Sequence, residues 1–211
     1  MCFSASASFI AGGGLVSLGG ASFVIAKKEN KILAAIPLLF GIQQISEGFQ
    51  WERLNLGSTS PVAGYLFLFF AFIVWPIYVP TFVWLLDKKR KNLLRWFMFL
   101  GIIVAAYFLW LLLTQAIAIS KINSCISYSF SNFPLVYPVL LVYLLAIFGS
   151  LLISSHRAFR RFGVVAFVLA IISWLFFFLT FTSVWCFFAA IVSSIFFVYI
   201  YNPEPLNEKL T

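Results

Sequence analysis

Five residues in the second apolar stretch of the chain are of types that do chemistry: Gln43, Gln44, Glu47, Gln50 and Trp51. Separations of three, four and seven place most of them on one face of a helix. Amides, a carboxyl and an indole on such a face suit a cation, an amine or the polar head of a lipid. Glu47 matters most. The other five acidic residues, Glu29, Glu52, Asp87, Glu204 and Glu208, all fall where they reach water. A charged carboxylate inside hydrocarbon costs roughly 2.5–3.5 kcal/mol on insertion scales. The fold must therefore turn Glu47 toward a hydrogen-bond partner, a cation or a wet cavity. No lysine or arginine occurs at the same depth of any apolar stretch, although Arg53 is close enough to fold back. The neutral acid is then the expected form, able to donate to a glutamine carbonyl and to yield its proton to an arriving cation. Gln43, Gln44, Glu47 and Trp51 are the candidate ligand-binding residues. The competing reading is a hydrogen-bond cluster that only glues helices together. Trp110, Thr114, Gln115 and Thr180 are the expected polar partners.

Three cysteines, Cys2, Cys125 and Cys186, form the second group. The topology below puts all three on the outer side, where a disulfide between two of them is expected. The three pairings stay open, and the remaining thiol is a candidate for reactivity or for a soft metal. Cys2 is the sharpest candidate, because removal of Met1 leaves it with a free amine. Other chemistries lack their residues. The last apolar stretch has no lysine for a retinal Schiff base. A single histidine, His156, gives neither a zinc hydrolase site nor a bis-histidine haem. No GxxxxGK loop is present. No metal site is expected, and no cofactor is implied.

The elements that position these residues follow from composition. Of 211 residues, 63% are hydrophobic and only 9% charged, with a mean hydropathy of +1.05. A soluble domain carries about a quarter charged residues. The chain reads as an all-α integral membrane helical bundle, one transmembrane domain over 1–211. Charges delimit the spans, each near the 20 residues a crossing needs: Ala5–Ala26, Ile32–Trp51, Val62–Leu86, Trp96–Ile119 and Pro134–Ser155. A run of 40 residues from Phe162 to Tyr201 then carries no charge. As one helix it would be about 60 Å long, twice the hydrocarbon thickness. It is expected to fold back around Thr180–Ser183, giving seven spans, with six and a long tilted last helix as the alternative. A polar loop is expected between spans four and five.

Eleven cations sit in loops 1–2, 3–4 and 5–6, against Arg53 and Lys121 on the other side. The positive-inside rule places the first set in the cytoplasm, the N-terminus outside and the tail Asn202–Thr211 inside. The cations are topology signals and argue against nucleic-acid binding. A cleaved signal peptide is not expected, since nothing basic precedes the first span. Span one is crowded with glycine, and Gly13, Ser17 and Ala21 form a small-residue stripe expected to pack closely on a neighbour. Pro76 and Pro80 are expected to bend span three.

The opening Met1-Cys2-Phe3-Ser4-Ala5, the run PLLFGIQQISEG from Pro37 to Gly48 followed by Trp51, and the Trp75-Pro76 step together resemble an uncharacterised bacterial multi-pass membrane family. The resemblance covers mainly the first 80 residues and implies a bacterial inner-membrane protein. Where some members carry histidine in the PLLFG segment, this chain has Gln43 and Gln44, so no histidine chemistry is carried over.

Three functions stay open. The first is a transporter or ligand-binding protein with an outward-facing polar pocket for a cation, an amine or a polar-headed lipid. The second is an intramembrane enzyme using Cys2 and Glu47. The third is an accessory subunit of a membrane complex. The bilayer is the expected partner, and a homo-oligomer stays open. Orientation has a direct test. With other cysteines removed, Gly57→Cys or Asn123→Cys should react with an impermeant maleimide on intact cells. Lys89→Cys or Ala158→Cys should react only after permeabilisation, and labelling of position 89 in intact cells would overturn the orientation.

Overall fold

A computed structural model describes residues 4–122 and 124–201, apart from the side chain of Tyr199. Cys2 and the tail from Asn202 lie outside the described residues. Seven helices are long and apolar enough to cross a membrane: α1 (Ala5–Ile25), α2 (Lys31–Asn55), α3 (Pro61–Leu86), α4 (Lys91–Thr114), α5 (Val136–Ile153), α6 (Arg157–Phe176) and α7 (Phe178–Val198). The uncharged forty-residue run does fold back, so there are seven such helices rather than six. The turn comes slightly earlier than Thr180–Ser183. The Phe177 amide still donates to the Ser173 carbonyl, and a short 3₁₀ turn at Phe178–Thr180 then starts α7.

The connection between α4 and α5 departs from expectation. Span four does not continue to Ile119, because α4 stops at Thr114 and the chain becomes a two-stranded antiparallel hairpin. Strands β1 (Ile117–Ile122) and β2 (Cys125–Phe130) pair Ile117 with Phe130 and Ile122 with Cys125. The β-branched residues Ile117, Ile119 and Ile122 favour a strand over a further helical turn. Ser124, at φ 62°, takes the left-handed conformation that a tight turn requires.

Helices α1 and α2 form the closest pair in the bundle. Their seam is made by Gly12, Gly19 and Gly41, not by Gly13, Ser17 and Ala21. A Cβ on Gly19 would lie 2.6 Å from the Leu38 nitrogen, and one on Gly41 would lie 2.8 Å from the Val16 nitrogen. Gly13 faces open space and Ser17 is exposed. The helical phase explains the correction. The inward face of α1 is Ser8, Gly12, Leu15, Gly19 and Ser22, at steps of four and three. On the far side, α3 and α5 each contain a π-helical segment, Phe70–Val74 and Leu145–Gly149. The Tyr143 hydroxyl donates to the Ala71 carbonyl at 2.7 Å and ties the two helices together. Pro76 and Pro80 lie in α3 beyond the π segment, and Gly101 of α4 packs onto the Pro76 carbonyl.

At the end where the basic loops gather, Asp87 closes α3 and is completely buried. Its carboxylate accepts from the backbone amides of Lys89, Arg90 and Ser155 and from the Ser154 and Ser155 hydroxyls. The loop after α3 is thereby knotted to the loop after α5. Arg90 adds a bond to the Ile153 carbonyl, and Arg160 one to the Ser154 carbonyl. Burial opposes ionisation of Asp87, but the Ser155 and Ser154 bonds outweigh it and hold the carboxyl below the usual aspartate range. A carboxyl lowered on folding stabilises the fold above its unfolded value, about 3.9, and that stabilisation is lost as pH falls through the lower folded value. Asp87→Asn turns an NH₂ toward existing donors and should cost about 1–3 kcal/mol. Melting in detergent from pH 7 to pH 3 should show the variant less stable at pH 7 and the gap closing toward pH 3.

Candidate functional site

One face of α2 changes character halfway along. In the half nearer the basic loops, Leu33, Ile36 and Phe40 bury apolar surface. In the half nearer the hairpin the same face carries Gln43, Gln44, Glu47, Gln50 and Trp51. Helical periodicity thus delivers all five to the bundle interior, and none is more than 2% exposed. Glu47 Oε1 accepts a 2.5 Å hydrogen bond from the Ser183 hydroxyl on α7. Gln43 spans the gap to α3: its Oε1 accepts from the Trp75 indole at 2.7 Å, and its Nε2 donates to the Phe67 carbonyl at 3.4 Å. Phe40 stacks on Trp75 with ring centroids 3.7 Å apart and holds that indole in place.

The hairpin covers the polar half. Ile126 is fully buried, and the Ser127 hydroxyl donates to the Leu179 carbonyl at the start of α7. Tyr128 stacks on Phe67 at 4.9 Å. On the rim, Lys121 of β1 sits over the Trp51 ring at 5.4 Å and reaches Asn55 Oδ1 at 3.4 Å. Gln50 Oε1 accepts from the Ser60 amide and pins the start of α3.

Under this cover several buried polar atoms have no hydrogen-bond partner among the described residues. They are Oε1 and Nε2 of Gln44, Nε2 of Gln50, the Trp51 indole nitrogen, the Tyr128 hydroxyl and the Ser8 hydroxyl. Gln44 lies within reach of the Glu47 carboxyl but completes no bond of ordinary geometry. Such atoms are rare in folded proteins, since each left unpaired costs about 1–3 kcal/mol. Here five of the six lie on the α2 face or on the hairpin above it. Burial lifts the Tyr128 hydroxyl well above its ordinary range, so it stays a neutral donor and acceptor.

Beside this polar stripe lies a cavity of about 200 Å³ walled by aromatic side chains, among them Phe72, Phe108, Phe133 and Trp185. Tyr128 and Cys186 also line it, and both lie within electrostatic range of Glu47. These two residues form the wall between the aromatic cavity and the carboxyl. Gln43, Gln44, Glu47 and Trp51 do not line it themselves.

The expected partners of the stripe are not the observed ones. Trp110 is half exposed on the outside of α4, Thr114 returns its hydroxyl to the Trp110 carbonyl, and Gln115 accepts from Ser131 and Asn132. The face of α4 that points inward is instead Val104, Ala105, Phe108 and Leu111. Thr180 is buried but bonds weakly to Phe177, at 3.5 Å. Ser183 and Trp75 take these roles. Ser183 ends a short hydroxyl-bearing run, Thr180, Thr182 and Ser183, and nothing in the sequence singles it out as the partner of Glu47. Cys186 lies one helical turn beyond Ser183, is buried, and has Gln43 within hydrogen-bonding range. Cys125 and Cys186 are both buried and are not bridged to each other.

A model of a family of unknown function, DUF6629, matches residues 1–208, and the chain belongs to that family. The uncharacterised family expected from the first 80 residues therefore extends over nearly the whole chain. No curated protein and no solved structure matches it.

The Ser183 hydroxyl is the shortest contact in the site. Ser183→Ala leaves a buried carboxyl without its donor and should lower stability by about 1–3 kcal/mol. Thermal unfolding of purified protein in detergent measures this. A variant as stable as the parent would show that the Glu47–Ser183 bond does not hold α2 to α7.

Proposed function

We propose that this member of a family of unknown function is a membrane protein that binds, and carries, a small molecule with an amine or other cationic head, using Glu47 as the counter-charge. Its hairpin faces the outside of a bacterial cytoplasmic membrane and its basic loops face the cytoplasm, in line with the positive-inside rule. One observation carries the reading. Unpartnered polar atoms of Gln44, Gln50, Trp51 and Tyr128 are gathered around a single buried carboxyl under the hairpin. A cluster whose sole task is to glue helices would satisfy its members, because a half-satisfied polar network is less favourable than an apolar one. A ligand supplies the missing partners. The aromatic cavity next to the carboxyl suits an ammonium group, since ring faces attract cations.

On this reading Glu47 is protonated when the site is closed and gives its proton up to the incoming cation. Charge stays balanced at the buried position throughout, which keeps the cost of an unpaired ion out of the cycle.

Glu47→Gln keeps the shape and can still accept from Ser183, but it cannot ionise. The variant should insert and melt like the parent. Amines and inorganic cations, screened by their effect on melting temperature, should stabilise the parent alone. A ligand at about a hundred times its Kd adds about 2.7 kcal/mol, well within such a measurement. If Glu47→Gln matches the parent in every binding assay while Glu47→Leu unfolds, Glu47 is a structural link only.

A further inference from the structure

The aromatic cavity shares part of its wall with a second space. Helices α5 and α6 pack against each other near their connection, where Ser150–Ile153 meets α6, but the Val136–Leu144 half of α5 has almost no contact with α6. The two helices diverge toward the hairpin. In the gap lies a groove of about 280 Å³ whose lining is entirely apolar, Leu144 and Leu175 among it. Leu140, Trp174 and Phe181 line both this groove and the aromatic cavity. The two spaces therefore adjoin, with these three side chains between them. The path starts on the flank of two membrane-length helices and ends at the Tyr128 hydroxyl, which is buried and unpartnered, with Glu47 behind it.

We infer that the ligand of the Glu47 site is a single-chain amphiphile with an amine head, which reaches the site sideways from the bilayer through the gap between α5 and α6. The inference rests on the Glu47 reading and adds the substrate class and the route. Three observations select this guest. The groove opens where hydrocarbon is the surrounding medium, so an alkyl chain is at home there. Neither space has a lysine, arginine or histidine in its lining, and the Glu47 carboxyl lies within electrostatic range of Tyr128 and Cys186, which line the inner one. A phosphate head would meet that carboxyl with no counter-charge, whereas an ammonium group meets a carboxyl and a ring of aromatic faces. Size decides the number of chains. The groove holds about 280 Å³, close to the lower end of the range of about 300–1,000 Å³ usual for small-molecule sites, which suits one alkyl chain better than two. The head passes Trp174 and Phe181 and takes the Tyr128 hydroxyl as its first hydrogen-bond partner, while the tail stays between Leu140 and Leu144.

The test uses the full-length protein in lipid nanodiscs with two probes, hexadecylamine carrying a diazirine beside its head, and butylamine. Photolysis should attach the long probe to the peptides holding Tyr128 or Trp185. Leu140→Trp, which fills the mouth of the groove, should slow that labelling about tenfold or more, as a raised entrance barrier would. Protection by butylamine, which can arrive from water, should survive in this variant. An unchanged rate in Leu140→Trp, with labelling still lost in Glu47→Gln, would refute the lateral route and leave the Glu47 site standing. Labelling that Leu140→Trp slows but Glu47→Gln leaves intact would retain the route and refute Glu47 as the counter-charge. Equal labelling by hexadecyl phosphate carrying the same diazirine would overturn the amine assignment.

Discussion

A carboxyl group buried among apolar helices cannot be left to solvent, and α2 carries Glu47 there on the face that turns inward. Water cannot reach it, because the residue is 2% exposed, and no base stands at its depth. The bundle meets this demand with one hydroxyl from α7, Ser183. That demand has consequences for the rest of the architecture. Helix α7 has to return beside α2, so the long uncharged run must fold back at Phe177 rather than continue as one helix. The end of the bundle above Glu47 also has to be closed. The hairpin between α4 and α5 supplies the closure, with Ile126 and Tyr128 laid over the polar half of α2.

The two ends of the molecule treat their acids in opposite ways. Asp87 is surrounded by donors, two hydroxyls and three amides, and its lone pairs are taken. A carboxylate so satisfied is a structural knot with no reason to exchange partners. Glu47 has one donor of good geometry and several unsatisfied neighbours. The contrast within a single chain separates a group that has finished its bonding from one that has not, and it is the physical reason for assigning binding to the Glu47 end.

Much of this was legible in the amino-acid order. Charges bound most of the helices, the length of the uncharged run Phe162–Tyr201 calls for a fold-back within it, and the 3.6-residue period places Gln43, Gln44, Glu47 and Trp51 together on α2. The hairpin was not legible by the same means. Hydropathy scores Ile117 and Ile119 as membrane-like, and only the period-two alternation through Ile117–Phe130 distinguishes a strand from the end of a span. The glycine seam was misplaced because a stripe of small residues says nothing about which face meets the neighbour. Gly13, Ser17 and Ala21 have the right spacing one position out of phase with Gly12 and Gly19. The partners of Glu47 were hidden for a different reason. Which helix lies opposite α2 is a matter of tertiary topology, and a lone Ser183 or Tyr128 carries no local mark of it.

The seam between α1 and α2 also has a mechanical consequence. Where glycines bring two backbones to within a Cβ of overlap, neither helix can rotate about its own axis or slide along the other without a collision. The pair behaves as a stiff beam. On the opposite side of the bundle, α5 and α6 splay apart, and both α3 and α5 contain wide π turns that tolerate local rewinding. Compliance is thus concentrated in α3, α5 and α6. Under the proposed binding, movement that admits or releases a guest is expected to deform the wall formed by α5 and α6, while the α1–α2 beam holds Glu47 in place.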